Sequence, residues 1–265
     1  MASQLPKTPL TTGEEPAGPM AICQNLQVLL TLSKQRIPVV CFPVCNPGGY
    51  YRDDRYPNAH RNWKIGKSVT EADHLMPHPD EPWRARVDEP ATPETWAINN
   101  HIIELNSEYP PLLWIDLHED ESLESSTIPA YLRYASYCYS GGLLGCDDPI
   151  ARQISRMFAS SGLAMQMVGE TRFGEAIENG LVNPQTGEGS IDELAARDSY
   201  ILGGVVRPKY PARSAVVTET PTIRMAERNG DKYPEPVPLR ERIAAQGLVL
   251  QALPLFFQRA VREFL

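Results

Sequence analysis

The sequence has little of what marks a membrane-spanning or secreted chain. No apolar run in its 265 residues approaches the roughly 18–20 needed to cross a bilayer. The opening stretch MASQLPKTPLTTGEEP lacks the apolar segment of a signal peptide. Positive charge is also short: 25 Lys and Arg against 33 Asp and Glu leave a net charge of −8. That balance argues against a general binder of nucleic acid or anionic membrane. Cysteines are five in number (Cys23, Cys41, Cys45, Cys138, Cys146), an odd count partly inside apolar runs. They read as reduced thiols, which with the missing signal peptide predicts a cytoplasmic protein. Cys41 and Cys45 flank Pro43 and do not read as a metal pair. Several common catalytic signatures are missing too: there is no HExxH, no P-loop, no GxGxxG and no GxSxG elbow.

What is present suits a folded domain. Hydrophobic residues make up 42% and charged residues 22% of the chain, enough apolar material for a sizeable core. The length fits one domain spanning residues 1–265. Proline is abundant, with 25 residues against 18 glycines. Residues 77–93 (PHPDEPWRARVDEPATP) read as a long surface loop, and PEPVP at 234–238 reads as a spacer. His74 and His78 are four apart, but Pro77 and Pro79 break any helix, so both read as loop residues.

Apolar spacing predicts a helix over 17–34 and a buried strand over 37–44 (IPVVCFPV). Thr92-Pro93-Glu94 is a helix start, with the helix running to about 108. Further strands are expected at 112–117 (LLWIDL), 163–168 and 214–219 (SAVVTE). Helices are expected at 148–161, from Asp192 to Ala196, and over 239–264. Strands alternating with helices predict an α/β fold: a mixed, mostly parallel central sheet flanked by helices. In such sheets chemistry sits at the carboxyl ends of strands, which directs attention to Asn46, His118 and Glu219.

His118 follows the strand LLWIDL among Asp116, Glu119 and Asp120. It reads either as a metal ligand supported by carboxylates or as a histidine bonded to backbone. Glu219 ends an apolar strand and reads either as a general base or as a solvated strand end. Gly13-Glu14-Glu15-Pro16-Ala17-Gly18 places acids before a helix, where the macrodipole favours them. Arg52, Arg55, Arg61 and, further on, Arg172 are candidates to grip a carboxylate, against a plain solvated loop.

Taken together these segments resemble the zinc carboxypeptidase family, including its succinylglutamate desuccinylase and aspartoacylase branch. Gly13-Glu14-Glu15-Pro16-Ala17-Gly18 is similar to the tail of that family's H-G-x-E-x-A-G block. Pro43-Val44-Cys45-Asn46-Pro47-Gly48-Gly49-Tyr50 is similar to its P-x-x-N-P-D-G-Y block. Asp116-Leu117-His118 resembles the strand with the third zinc ligand. Gly189-Ser190-Ile191-Asp192 and Val216-Val217-Thr218-Glu219 resemble the substrate-pocket loop and the strand with the catalytic Glu. The order matches, from residue 12 to residue 221.

The resemblance implies a carboxypeptidase-like fold and one zinc ion held by Glu15 and His118. It implies Glu219 as the general base and Arg55 as the group polarising the scissile carbonyl. Arg61, Asn46, Arg172 and Ile191 would bind substrate, a small peptide or acyl-amino acid, with no nucleic-acid or membrane partner. Three protein ligands and one open position make a catalytic zinc site. Here Thr12 stands where the family has its first zinc-binding His, and His60 stands where it has the Asn of an N-R pair. Only 11 residues precede Thr12, so the first strands of the sheet are expected to be missing. The expectations are therefore an active zinc hydrolase of a C-terminal peptide bond or N-acyl amino acid, or a catalytically disabled relative that binds carboxylates. An unrelated scaffold using the Pro-rich loop is the third.

Overall fold

A buried polar cap starts the first long helix: Thr92 Oγ1 accepts from the Thr95 amide and Thr95 Oγ1 accepts from the Thr92 amide, with Pro93 at the first helical position. The structure is a computed structural model. It describes residues 17–43, 45, 72–120, 137–140, 147–162, 165–171, 175–182 and 189–264. In chain order these contain α1 (Ala17–Gln24), α2 (Leu26–Lys34), α3 (Pro93–Glu108), β1 (Leu113–Asp120), β2 (Tyr137–Ser140) and α4 (Pro149–Ser160). Then follow β3 (Val168–Glu170), β4 (Ala176–Glu178), β5 (Leu181–Val182), α5 (Ile191–Ala196), β6 (Ser199–Leu202) and β7 (Val205–Pro208). The last elements are β8 (Ser214–Pro221), β9 (Ile223–Arg228), β10 (Asp231–Pro236), α6 (Leu239–Gln251) and α7 (Leu253–Phe264).

The central sheet has six strands in the order β1-β8-β2-β5-β4-β3. β1 with β8 and β2 with β5 are parallel; β2–β8, β4–β5 and β3–β4 are antiparallel. The α/β architecture, a mixed sheet flanked by helices, is as expected, with two of the five strand pairings in this sheet parallel rather than most of them. The hairpins β6–β7 and β9–β10 stand outside the main sheet.

Alternation along β1 and β8 sorts their side chains to two faces. Val216 packs with Ile150, Ile154 and Phe158 of α4, Val249 of α6 and Phe256 of α7, with Ile115 and Leu117 against them. Phe158 and Phe256 are fully buried, and each such side chain contributes about 1.5–3 kcal/mol. Ala17 and Ala21 of α1 pack on Ile243 and Leu250 of α6 over the same face. The opposite face carries Val217 with Ile177 and Val182. There α5 lies near β8 and β1. Leu194 of α5 is covered in turn by Ala72, Leu75 and Met76.

Five expected elements differ. The strand expected over 163–168 does not form at 165–167, and β3 is Val168–Glu170 instead; residues 234–236 of the expected spacer pair with 223–225 as the end of β10. The helix over 17–34 divides at Asn25, whose Nδ2 donates to the Ala21 carbonyl (2.8 Å) and competes with the helix ladder. The buried strand expected over 37–44 does not form at 37–43: Val39 and Val40 are exposed, and Pro38 and Pro43 remove two ladder donors. The helix over 239–264 is two helices meeting at Ala252, because Pro254 has no amide to continue the first. Among the described residues no helix is long and apolar enough to cross a membrane.

Candidate functional site

The carboxyl ends of β1 and β8 lie side by side because the two strands are parallel, with Leu113 opposite Ser214. This register makes His118 the partner of Glu219. Parallel neighbours are about 4.8 Å apart, so paired side chains emerge beside one another on one face. That face is the one away from α1 and α6. Asp116 is two residues before His118 and shares it, its Oδ1 lying 3.4 Å from His118 Nε2. Burial pushes the Asp116 carboxyl up, but the charge of His118, its hydrogen bond and the Leu117 amide outweigh this and hold it below the usual range.

The 189–192 corner supplies the third side of the site. Asp192 is buried in the first turn of α5, and burial pushes its carboxyl up to about 6. A hydrogen bond from Ser190 and the charge of His118 work against that rise, and the charge of Asp116 adds to it. Asp192 therefore belongs to the same electrostatic cluster as Asp116 and His118. Ile191 is 8% exposed, packed into the corner rather than displayed on the surface.

A network of alternating charges holds this corner in place. Glu193 accepts from the Gly189 amide (2.7 Å), from both terminal nitrogens of Arg86 and from Arg197 (3.1 Å). Arg86 also reaches Asp73 (3.2 Å), and the Ala72 amide donates to the Gly189 carbonyl (2.6 Å). The Pro-rich segment thus contributes a half-buried arginine that braces the site, a role its composition did not suggest.

On the other face, α6 clamps the ends of the same two strands. Gln246 is fully buried; its Oε1 accepts from the Thr218 hydroxyl (2.7 Å) and its Nε2 donates to the His118 carbonyl (2.9 Å). Glu119, also buried, pairs with Arg242 and accepts from the Ala17 amide (3.0 Å). Gly18 is required beside it: a Cβ there would stand 2.7 Å from the Leu117 carbonyl oxygen, which belongs to a strand and cannot move aside.

Of the residues expected at the site, His118 and Glu219 are adjacent and Ile191 lies in the corner that supplies Asp192. Glu15, Asn46, Arg55, Arg61 and Arg172 lie outside the described residues, as does Thr12. Among the described residues no group of three His, Cys, Asp or Glu is placed to hold a metal. The donor chemistry present still suits one corner of such a site, since His118 is an imidazole faced by a carboxylate, the arrangement that orients metal-binding histidines. Sequence reasoning grouped Asp116 with Glu119 and Asp120 as carboxylate support for His118 without singling it out, although period-two spacing from His118 was the signal for it. It also missed Asp192, Glu193, Arg86, Arg242 and Gln246, whose partners are distant in sequence.

No family model matches the chain, and no curated protein does. Solved structures do. A putative metallopeptidase from Shewanella baltica OS155 superposes with a TM-score of 0.60 at 18% identity, over 93% of this chain and 73% of that one. Proteins of the same description from Shewanella amazonensis SB2B and Shewanella denitrificans OS217 give TM-scores of 0.58 and 0.57 at 17% and 15% identity. They cover 92% and 91% of this chain and 74% and 70% of their own. The chain therefore has a metallopeptidase-like fold.

Proposed function

We propose that the chain is a zinc-dependent, carboxypeptidase-like hydrolase acting on a C-terminal peptide bond or an N-acyl amino acid. The observation that carries this reading is the pairing of His118 with Glu219 at the carboxyl ends of two parallel strands, with Asp116 beside the imidazole. The shared fold with metallopeptidase-like structures supports it.

His118 and Glu15 are the proposed protein ligands. Glu15 stands two residues before Ala17, a chain distance of about 7 Å at most, and Ala17 is fixed to Glu119 next to His118. When bound, a zinc ion would supply Lewis-acid polarisation of the carbonyl and acidify water. The chain's own groups do the rest. Asp116 fixes the His118 ring. Glu219 takes the proton from the attacking water and delivers it to the leaving nitrogen. Arg55 is the proposed electrophile for the carbonyl oxygen; Arg61, Asn46 and Arg172 are the proposed grips for the substrate's carboxylate, with Ile191 in the side-chain pocket.

A second reading has its own support. Thr12 stands where the resembling sequence block has a zinc-binding His, and a neutral hydroxyl is a weak zinc ligand. On that reading the chain binds carboxylates without turning them over. Hydrolysis of a panel of C-terminal peptides and N-acyl amino acids decides between them. Turnover that falls by about 100-fold or more in Glu219→Gln supports the hydrolase. Ligand binding with no turnover supports the disabled relative.

A further inference from the structure

Helix α6 carries a buried charge that the proposed chemistry does not use. Arg242 is 5% exposed and Glu119 is 2% exposed, and the two form an ion pair between residues 123 apart. Taking both charges out of water is costly, and apolar residues of similar volume often serve stability as well or better. A stability role alone is therefore a weak account of the pair. The second oxygen of Glu119 points to another. It accepts from the amide of Ala17, one of the donors that the start of a helix leaves without an intrahelical partner. Gly18, the next residue, lies so close to the Leu117 carbonyl that no side chain fits between them. Both the direction and the depth of the α1 start are thus set against the end of β1. His118 immediately precedes Glu119 on that strand, and Glu15 stands two residues before Ala17.

We infer that Glu119 and Arg242 are positioning residues: together they lock the start of α1 onto the end of β1, immediately after His118, and so hold the site at that strand end. The link to zinc rests on the function proposed above; the anchoring of Ala17 does not.

Two readouts test this in the full chain, amide exchange of Ala17 by NMR and the zinc dissociation constant. The variants are Glu119→Ala, Glu119→Gln, Arg242→Met and Arg242→Lys, with Phe256→Leu in α7 as a control that loosens the core elsewhere. Glu119→Ala and Arg242→Met are expected to speed exchange at Ala17 about fivefold or more and to weaken zinc binding by roughly 10-fold or more. Arg242→Lys, which keeps the charge, should recover part of both. Phe256→Leu should lower the melting temperature while leaving zinc affinity unchanged. Should Glu119→Ala fail to fold, Glu119→Gln keeps the volume and carries the same expectation with a smaller change. Unaltered Ala17 exchange in folded Arg242→Met and Glu119 variants would overturn the anchoring. Altered exchange with unaltered zinc affinity would overturn its role in setting the site. A parent chain that binds no zinc would defeat the proposed function, while the exchange data would still decide the anchoring.

Discussion

Asp116 Oδ1 lies 3.4 Å from His118 Nε2, the two side chains sharing one face of β1 because they are two residues apart. The carboxylate fixes the ring's orientation. Asp116→Asn keeps the shape and removes the charge. We expect zinc affinity to fall by roughly 10–100-fold with the fold intact, measured by competition with a chelating indicator and checked by circular dichroism.

Gln246 joins three groups at the strand ends: the Thr218 hydroxyl, the Thr220 hydroxyl and the His118 carbonyl. Gln246→Leu fills a similar volume but removes these hydrogen bonds, while the Thr218 and Thr220 hydroxyls keep the Asp116 and His118 carbonyls as acceptors. Such a loss costs about 1 kcal/mol. Urea unfolding should therefore show a lower midpoint with an unchanged slope.

The pH dependence of stability should show two opposed slopes. Asp192 is raised to about 6 by burial, so between the ordinary carboxylate value near 4 and about 6 the folded chain holds a proton that the unfolded chain releases. Its contribution makes stability fall as pH rises through that window. His74 is lowered to about 4 by burial, and among the described residues neither ring nitrogen has a hydrogen-bond partner. Its unfolded form holds the extra proton between about 4 and 6.5, so its contribution makes stability rise with pH. The parent, free of metal, should thus be comparatively flat over this range. Asp192→Asn should make stability climb with pH, and His74→Leu should make it decline. Urea midpoints from pH 4 to pH 7 check both signs. The depressed Asp116 acts lower: its stabilisation is lost as pH falls below about 4.

The sequence was informative where local pattern and burial agree. SAVVTE and LLWIDL are short segments centred on apolar residues, and both lie in strands of the central sheet. IPVVCF has the same composition, but its flanking prolines remove donors, and at 37–43 it is not a strand. The β6–β7 and β9–β10 hairpins were legible in principle. Their turns, Gly203-Gly204 and Asn229-Gly230, have positive φ at both residues (59° and 71°, 56° and 85°), the conformation that these dipeptides favour. At the site, His118 and Glu219 could be picked out as strand ends, and their pairing then follows from the parallel register of β1 and β8. The supporting partners could not be read. Arg242 meets Glu119 across 123 residues and Arg86 meets Glu193 across 107, and no local periodicity encodes contacts of that range.

The proposed hydrolase requires that His118, at the end of β1 beside Glu219, hold a catalytic metal. Zinc content per folded chain, measured for the parent and for His118→Ala after dialysis against trace zinc, tests it most directly. About one zinc per parent chain and a nearly empty, still folded His118→Ala are expected. A parent that stays empty, or a His118→Ala chain that keeps its zinc, would contradict it.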